Sequence, residues 1–258
     1  LCNELGMDTI SFGNTVGLAM ELHEKGIWHS PEPIRFGTHG LIERLARLTA
    51  KREGVGNDLA LGAKRLAAQH GVPELAMAVK GLEFPGYEPR ATMAQALGYA
   101  TSPRGGCHLQ GGYAITLGFF GGAREVDRFL IETTAGHVVS QQDSGCISDS
   151  LGICRFASFA FQETELARIY RGMTGRDIGP HDLETAARLT QDRERRFNLA
   201  AGFTTVDDTL PQRMFNEKIM IAGVVRAIDR DAHFYPLLQK YYRIRGWDEV
   251  GIPRSGEE

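Results

Sequence analysis

Apolar positions along the chain recur mainly at helical spacing. Val16, Ala19, Met20 and Leu22 do so between Thr15 and Lys25, and Gly26 ends the run. The preceding stretch, Asp8 to Thr15, is rich in acceptors and cap residues and reads as a polar loop. Pro31 and Pro33 mark a linker. Residues 38–53 predict a second helix, with Leu41, Ile42, Leu45, Ala46, Leu48 and Thr49 on its apolar face. Glu53 to Asp58 reads as a turn, with Asn57 or Asp58 capping a third helix from Leu59 to His70. Ala76 to Leu82 is a short apolar piece, Phe84 to Arg90 a turn bracketed by prolines, and Thr92 to Tyr99 a short Ala-rich helix. Gly118 to Gly122 suits a loop and Glu125 to Gln141 a helix. Residues 156–171 predict an apolar helix ending near Gly172, and Asp182 to Ala200 a long charged one whose Arg193, Arg195 and Arg196 form a solvated face. Gly202 to Pro211 reads as an extended linker and Leu237 to Arg245 as the last helix. Convincing strands are few and there is no tandem repeat. The pattern predicts a mainly helical protein in one or two lobes.

Two stretches carry candidate chemistry. In Asp149-Ser150-Leu151-Gly152-Ile153-Cys154 a carboxylate and a thiol lie five residues apart with a glycine between them. Such a turn can present an acceptor together with a soft metal ligand. It equally suits a helix N-terminus, with Asp149 or Ser150 as cap and Cys154 as a small buried hydrophobe. In Thr101-Ser102-Pro103-Arg104-Gly105-Gly106-Cys107-His108-Leu109, the glycines let backbone approach a ligand closely. Arg104 offers a permanent cation with a fork suited to phosphate, and His108 can donate, accept or shuttle a proton. A glycine turn with a solvated arginine accounts for the same residues.

Composition narrows the function classes. The chain has 258 residues, is 42% hydrophobic and 24% charged, and carries a net charge of -3, so it can bury a sizeable core. That charge gives no electrostatic reason to expect nucleic acid or an anionic membrane as partner. No apolar run approaches bilayer length, so a cytoplasmic location is expected. The four cysteines, Cys2, Cys107, Cys146 and Cys154, form no C-x-x-C pair and do not read as a disulfide framework. No G-x-x-x-x-G-K-[ST] loop, G-x-S-x-G elbow or H-E-x-x-H helix occurs. The chain opens at Leu1 inside a patterned segment, which suggests the C-terminal part of something longer.

Six blocks carry a resemblance. They are Cys2 to Ser11, Lys51 to Gly56, Tyr99 to His108, Asp149 to Phe156, Leu210 to Arg213 and Tyr242 to Asp248. In this order they resemble successive blocks of the aldehyde:ferredoxin oxidoreductase family, across essentially the whole chain. The resemblance implies an all-α fold, the two helical C-terminal lobes of that family, with a boundary near residues 85–110. It implies a tungsten (or molybdenum) bis-pterin cofactor and a neighbouring [4Fe-4S] cluster. Aldehydes would be oxidised to carboxylic acids with water, and electrons would pass to ferredoxin. Residue by residue, Cys154 matches the last cluster ligand, and Asp8 and Asp149 match pterin-binding aspartates. Arg104 matches an arginine near a pterin phosphate, Ile153 a residue packed on the pterin, and His108 the histidine beside the metal.

The departures also matter. In this family the other three cluster cysteines lie in an upstream C-x-x-C-x-x-x-C segment, which this chain does not contain. The glutamate that activates water, and the residues of the β-rich pterin-binding base, lie upstream as well. The chain alone is therefore expected to be inactive and cofactor-free, completed by the missing N-terminal region. Some relatives bridge a homodimer with a metal; Glu4, His23 and His39 are available here but read as surface residues. Cys146 is expected to be a free thiol. An aromatic acyl-CoA reductase of the same family, and a non-enzymatic helical module, are the alternative functions.

Overall fold

The computed structural model describes residues 1–31, 33–114, 129, 133–158, 160–221 and 223–254. The chain is mainly helical, as its periodicity predicts, but several helix ends fall elsewhere than the apolar runs suggest. Helix α1 (Thr9–Glu24) begins inside the acceptor-rich stretch expected to be a loop. Asp8 is its N-cap and accepts from the Ser11 amide at 2.7 Å. That bond satisfies one of the first-turn N–H groups and starts the helix before its apolar stripe begins.

Helix α2 (Leu41–Lys51) follows, and the turn expected at residues 53–58 is largely a short helix, α3 (Val55–Leu59). The third predicted helix is broken at Gly62, whose φ of +79° ends one turn before α4 (Ala63–Gln69) begins. Its first amide, on Ala63, donates to Glu83 Oε1 at 2.8 Å, so the cap comes from a distant residue and not from Asn57 or Asp58. Phe12, Val16, Leu22, Leu45, Leu59 and Leu66 form the first apolar core with α1 to α4 around it. Each such side chain contributes about 1.5–3 kcal/mol by burial.

Ala76 to Leu82 contains a tight hairpin. Strands β1 (Ala78–Val79) and β2 (Leu82–Glu83) pair antiparallel with Val79 opposite Leu82, leaving Lys80 and Gly81 as the turn. Beyond it, α5 (Met93–Thr101) is buried along its whole length. It packs with α6 (Thr134–Ser150) and α11 (Tyr235–Arg245) in a second core built on Leu97, Tyr99, Val138, Phe234, Leu238 and Tyr241. The expected loop at 118–122 and residues 125–128 and 130–132 of the expected helix lie outside the described residues.

The helix expected over 156–171 is two helices, α7 (Arg155–Ser158) and α8 (Glu163–Thr174), and the stop is Gly175 at φ +71°. The Gln162 amide donates to Glu165 Oε2 at 3.0 Å, a local N-terminal signal that outweighs continued helix at residues 160–162. Helix α9 (Pro180–Ala200) meets the end of α6 and α8 in a third core of Ile147, Leu166, Ala167, Leu183 and Ala187. Arg193 and Arg196 are exposed on it as expected, but Arg195 is only 5% exposed. The expected linker at 202–211 contains a 3-10 turn, Thr205–Asp207, and buries Asp208. Helix α10 (Arg213–Asn216) and a second hairpin, β3 (Ile219–Ile221) with β4 (Val224–Arg226), precede α11.

Candidate functional site

The Asp149–Cys154 stretch is a helix C-terminus. Helix α6 ends at Ser150, Gly152 adopts φ +69°, and the Ile153 amide closes back on the Ser148 carbonyl at 2.9 Å. The N-terminal alternative fails because α6 runs through Asp149 and Ser150 and supplies the turn with free carbonyls. A carboxylate in the last helical turn is opposed by the helix dipole, so helix energetics do not account for Asp149. Asp149 is exposed, Ile153 is half-buried against the third core, and Cys154 is an exposed free thiol, not a buried hydrophobe.

The Arg104–His108 loop is seated on the β1–β2 hairpin. Gly105 takes φ +98°, and the Gly106 amide donates to the Val79 carbonyl at 3.2 Å. A side chain at Gly105 would strike the Val79 carbonyl, so the glycine is required by close backbone approach. Arg104 is exposed. His108 lies between two aromatic rings, with centroid distances of 5.5 Å to Tyr87 and 5.4 Å to Tyr113. Burial, and then the charge of Arg104, push its pKa below the usual imidazole range and favour the neutral ring. The Tyr87 and Tyr113 hydroxyls lie 3.2 Å apart. That hydrogen bond, then burial, pushes the Tyr113 phenol up to about 12.

The loop and the turn meet. Arg155, the residue after Cys154, donates from Nη2 to the Gly112 carbonyl at 3.3 Å and to Gln141. Phe156 packs edge-on against Tyr113 with centroids 6.0 Å apart. A cavity of about 200 Å³ lies at this junction, lined by Gln110 from the loop, by Gln142, Cys146 and Asp149 from α6, and by Gln191 and Glu194 from α9. Gln110 Oε1 is buried with no hydrogen-bond partner among the described residues. Glu194 is held above the usual carboxylate range by burial and then by Asp149. Burial, and then Glu194, push the Cys146 thiol up.

Asp8 stands apart from this junction. It lines a separate cavity of about 350 Å³ with Met7, Thr49, Arg52 and Leu59. Its connection runs through the hairpin: Ser11 Oγ donates to Glu83 Oε2 at 2.8 Å, and the backbone of the adjacent Leu82 abuts Gly106. Among the described residues no group of three or more His, Cys, Asp or Glu side chains could hold a metal ion. Glu4 and His39 are exposed and His23 is half-buried.

A family model described as "Aldehyde ferredoxin oxidoreductase, domains 2 & 3" matches residues 1–257. The chain belongs to this aldehyde ferredoxin oxidoreductase family. It is 37% identical to the tungsten-containing aldehyde ferredoxin oxidoreductase of Pyrococcus furiosus, over 99% of this chain and 43% of that protein. It is 35% identical to the tungsten-containing enzyme of Thermococcus kodakarensis, over 100% of this chain and again 43% of the relative. The chain thus spans less than half the length of these relatives. Among solved structures, the active site complex BamBC of benzoyl coenzyme A reductase, in complex with 1,5-dienoyl-CoA, shares the fold. Its TM-score is 0.69 at 20% identity, covering 96% of this chain and 42% of that one.

Several residues around the junction carry no functional role in the sequence, and Arg195 reads there as solvated. Gln110, Gln191 and Glu194 line the cavity, and Lys80, Arg195 and Asp208 form a buried ion cluster behind the His108 loop. Lys80-Gly81 between the apolar residues Val79 and Leu82 is a turn signal that would have located the first of them. Arg195 continues the buried register of Leu183, Ala187 and Gln191 along α9.

Proposed function

We propose that the chain forms the helical C-terminal side of a tungsten (or molybdenum) bis-pterin oxidoreductase that converts aldehydes to carboxylic acids. Electrons would leave through an adjoining [4Fe-4S] cluster to ferredoxin or a related carrier, and the cytoplasm is the expected compartment. The observation that carries this reading is the junction itself: the Arg155–Gly112 bond joins the segment bearing Cys154 to the segment bearing His108.

The donor chemistry fits such a group in part. Exposed carboxylates at Asp8 and Asp149 suit the N–H edge of a pterin ring, and the exposed guanidinium of Arg104 suits its phosphate. Gln110, which lines the cavity with Asp149, adds a buried acceptor in Oε1 that has no partner among the described residues. Ile153 supplies an apolar surface for packing. For the cluster, Cys154 supplies one exposed thiol, and three more thiolates must come from outside this chain.

When bound, the tungsten centre supplies the two-electron redox chemistry. The overall change takes an aldehyde and water to a carboxylic acid, two protons and two electrons. His108, kept neutral by burial and Arg104, can donate a hydrogen bond to the aldehyde carbonyl from one ring nitrogen or take a proton on the other. Tyr87 and Tyr113 fix its ring plane. A division into two lobes is supported by separate apolar clusters, one from Phe12 to Ala76 and another that already begins at Val79, ahead of the proposed boundary near residues 85–110.

The test uses the full-length protein. Tungsten and iron analysis, with benzaldehyde and benzoyl-CoA as alternative substrates, should show aldehyde oxidation coupled to ferredoxin reduction. Cys154→Ala should abolish the four-iron signal; an intact cluster in that variant would refute the assignment of the turn.

A further inference from the structure

We infer that Lys80 is a positioning residue for the Arg104–His108 loop, anchored from behind by a buried cluster with Asp208 and Arg195. The inference rests on the proposal that this loop belongs to the catalytic site. Lys80 is the first of the two turn residues of the β1–β2 hairpin and holds φ +50°. Two-residue hairpin turns of this hand favour Asn, Asp or Gly at that position, because a larger side chain crowds the left-handed backbone. A lysine there is unfavourable locally and must be fixed by what its side chain reaches.

The side chain reaches inward and is 2% exposed. Its Nζ lies 2.8 Å from Asp208 Oδ1 and donates to the Ala100 carbonyl, near the end of α5, at 2.6 Å. Asp208 is bound on its other side by Arg195, 2.8 Å from Oδ2, and accepts from the Tyr242 hydroxyl. Arg195 Nε in turn donates to the Gly251 carbonyl at 2.8 Å. Lys80 therefore ties the hairpin to α5, α9 and α11 at one point.

The loop hangs from the same frame at both ends. Asn198, on α9 after Arg195, donates to the Pro103 carbonyl at 2.8 Å. The Gly106 amide donates to the Val79 carbonyl, next to Lys80, at 3.2 Å. A Cβ at Gly105 would lie 3.1 Å from the Lys80 Cβ, so the loop rests directly on the lysine's stem.

Charge counting separates this role from simple stabilisation. The cluster buries two cations against one carboxylate, and Arg195 alone would satisfy Asp208. The ammonium is the excess charge; burial outweighs Asp208 and pulls the Lys80 pKa down. Removing the ammonium leaves Asp208 paired with Arg195, so no buried carboxylate is stranded. What it uniquely provides is the bond to Ala100 and the fixed turn.

The experiment compares Lys80→Met and Lys80→Arg in the full-length protein. Lys80→Met should fold and keep its cofactor content. Amide exchange from Gly105 to His108 should speed up about tenfold, and the His108 imidazole midpoint, followed by selectively labelled NMR, should rise toward the ordinary value. Lys80→Arg should restore both readouts. Unchanged exchange and an unchanged His108 midpoint in Lys80→Met would overturn the inference. So would failure of Lys80→Met to fold while Lys80→Arg folds normally, because Lys80 would then be a stability residue. Absence of aldehyde oxidation in the unmodified protein would remove the proposed function and leave both loop readouts to decide this one.

Discussion

Arg155 Nη2 donates to the Gly112 carbonyl at 3.3 Å and so bonds the segment bearing Cys154 to the segment bearing His108. The same nitrogen meets the Gln141 carbonyl at 3.3 Å and Gln141 Oε1 at 3.2 Å, and the whole residue is 8% exposed. Shortening this side chain leaves buried acceptors on both partners without their charged donor. Arg155→Met should lower unfolding stability by about 1.5–3 kcal/mol, the usual cost for hydrogen bonds to a charged group. Urea unfolding monitors the loss, and amide exchange around Gly112 and Tyr113 should rise more than exchange in α1. A uniform change along the chain would argue against a local clamp.

His137 sets a pH dependence on α6. Its Nε2 is buried with no partner among the described residues, and burial pushes its pKa down to about 4. The unfolded chain binds this proton near pH 6.5 and the folded chain does not until about pH 4. Between those values the unfolded state holds more protons, so this group's contribution to stability falls as pH falls. Asp143 and Glu194, both raised chiefly by burial, act in the opposite sense: they favour the fold at low pH and weaken it as pH rises. The difference between parent and His137→Leu isolates the histidine. Relative to the parent, the variant should gain stability on going from pH 7 to pH 5 in urea titrations. A constant difference across that range would mean that His137 binds its proton alike in the folded and unfolded chain.

The periodicity of apolar positions made the helical class legible, and cap chemistry explains where it misplaced the ends. Asp8 and Glu83 supply first-turn acceptors, the second from a residue far along the chain, and no local pattern could announce that bond. Arg195 was hidden by its residue type. It sits on the same buried stripe as Leu183, Ala187 and Gln191, but an arginine among Arg193 and Arg196 reads as solvated until its carboxylate partner is known. The candidate site residues are legible only as sequence blocks, and the meeting of two of those blocks is not legible at all. Residues 108 and 154 are joined by Arg155 and Phe156 through backbone and ring contacts that depend on the packing of α6.

The Asp208 cluster should respond asymmetrically to truncation. Asp208 is 2% exposed and is the shared partner of Lys80 and Arg195. Asp208→Ala leaves two buried cations facing each other and should cost about 3–5 kcal/mol. The double variant Asp208→Ala with Lys80→Met removes one of those cations with the carboxylate and should recover a substantial part of the loss. Unfolding midpoints of the single and double variants measure the coupling. Additive losses would show that Asp208 and Lys80 do not act together.

Two glycines in helices make opposite predictions from the same substitution. Gly17 lies in α1 at a position where an added Cβ meets nothing within 4 Å. Gly17→Ala should stabilise the chain by about 0.5–1 kcal/mol, since alanine loses less backbone entropy on entering a helix. Gly98 lies in α5, where an added Cβ would collide with the Gly111 carbonyl and approach its carbon to 3.3 Å. Backbone cannot step aside as the end of a flexible side chain can, so α5 or the loop must move. Gly98→Ala should cost about 1–3 kcal/mol, despite the same gain in helix propensity. The displaced loop is the one whose carbonyl at His108 accepts from Tyr113 at 2.7 Å. The tyrosine near-ultraviolet circular dichroism should therefore change in Gly98→Ala and not in Gly17→Ala. Equal stabilisation by both substitutions would mean that α5 and the His108 loop are not in backbone contact in solution.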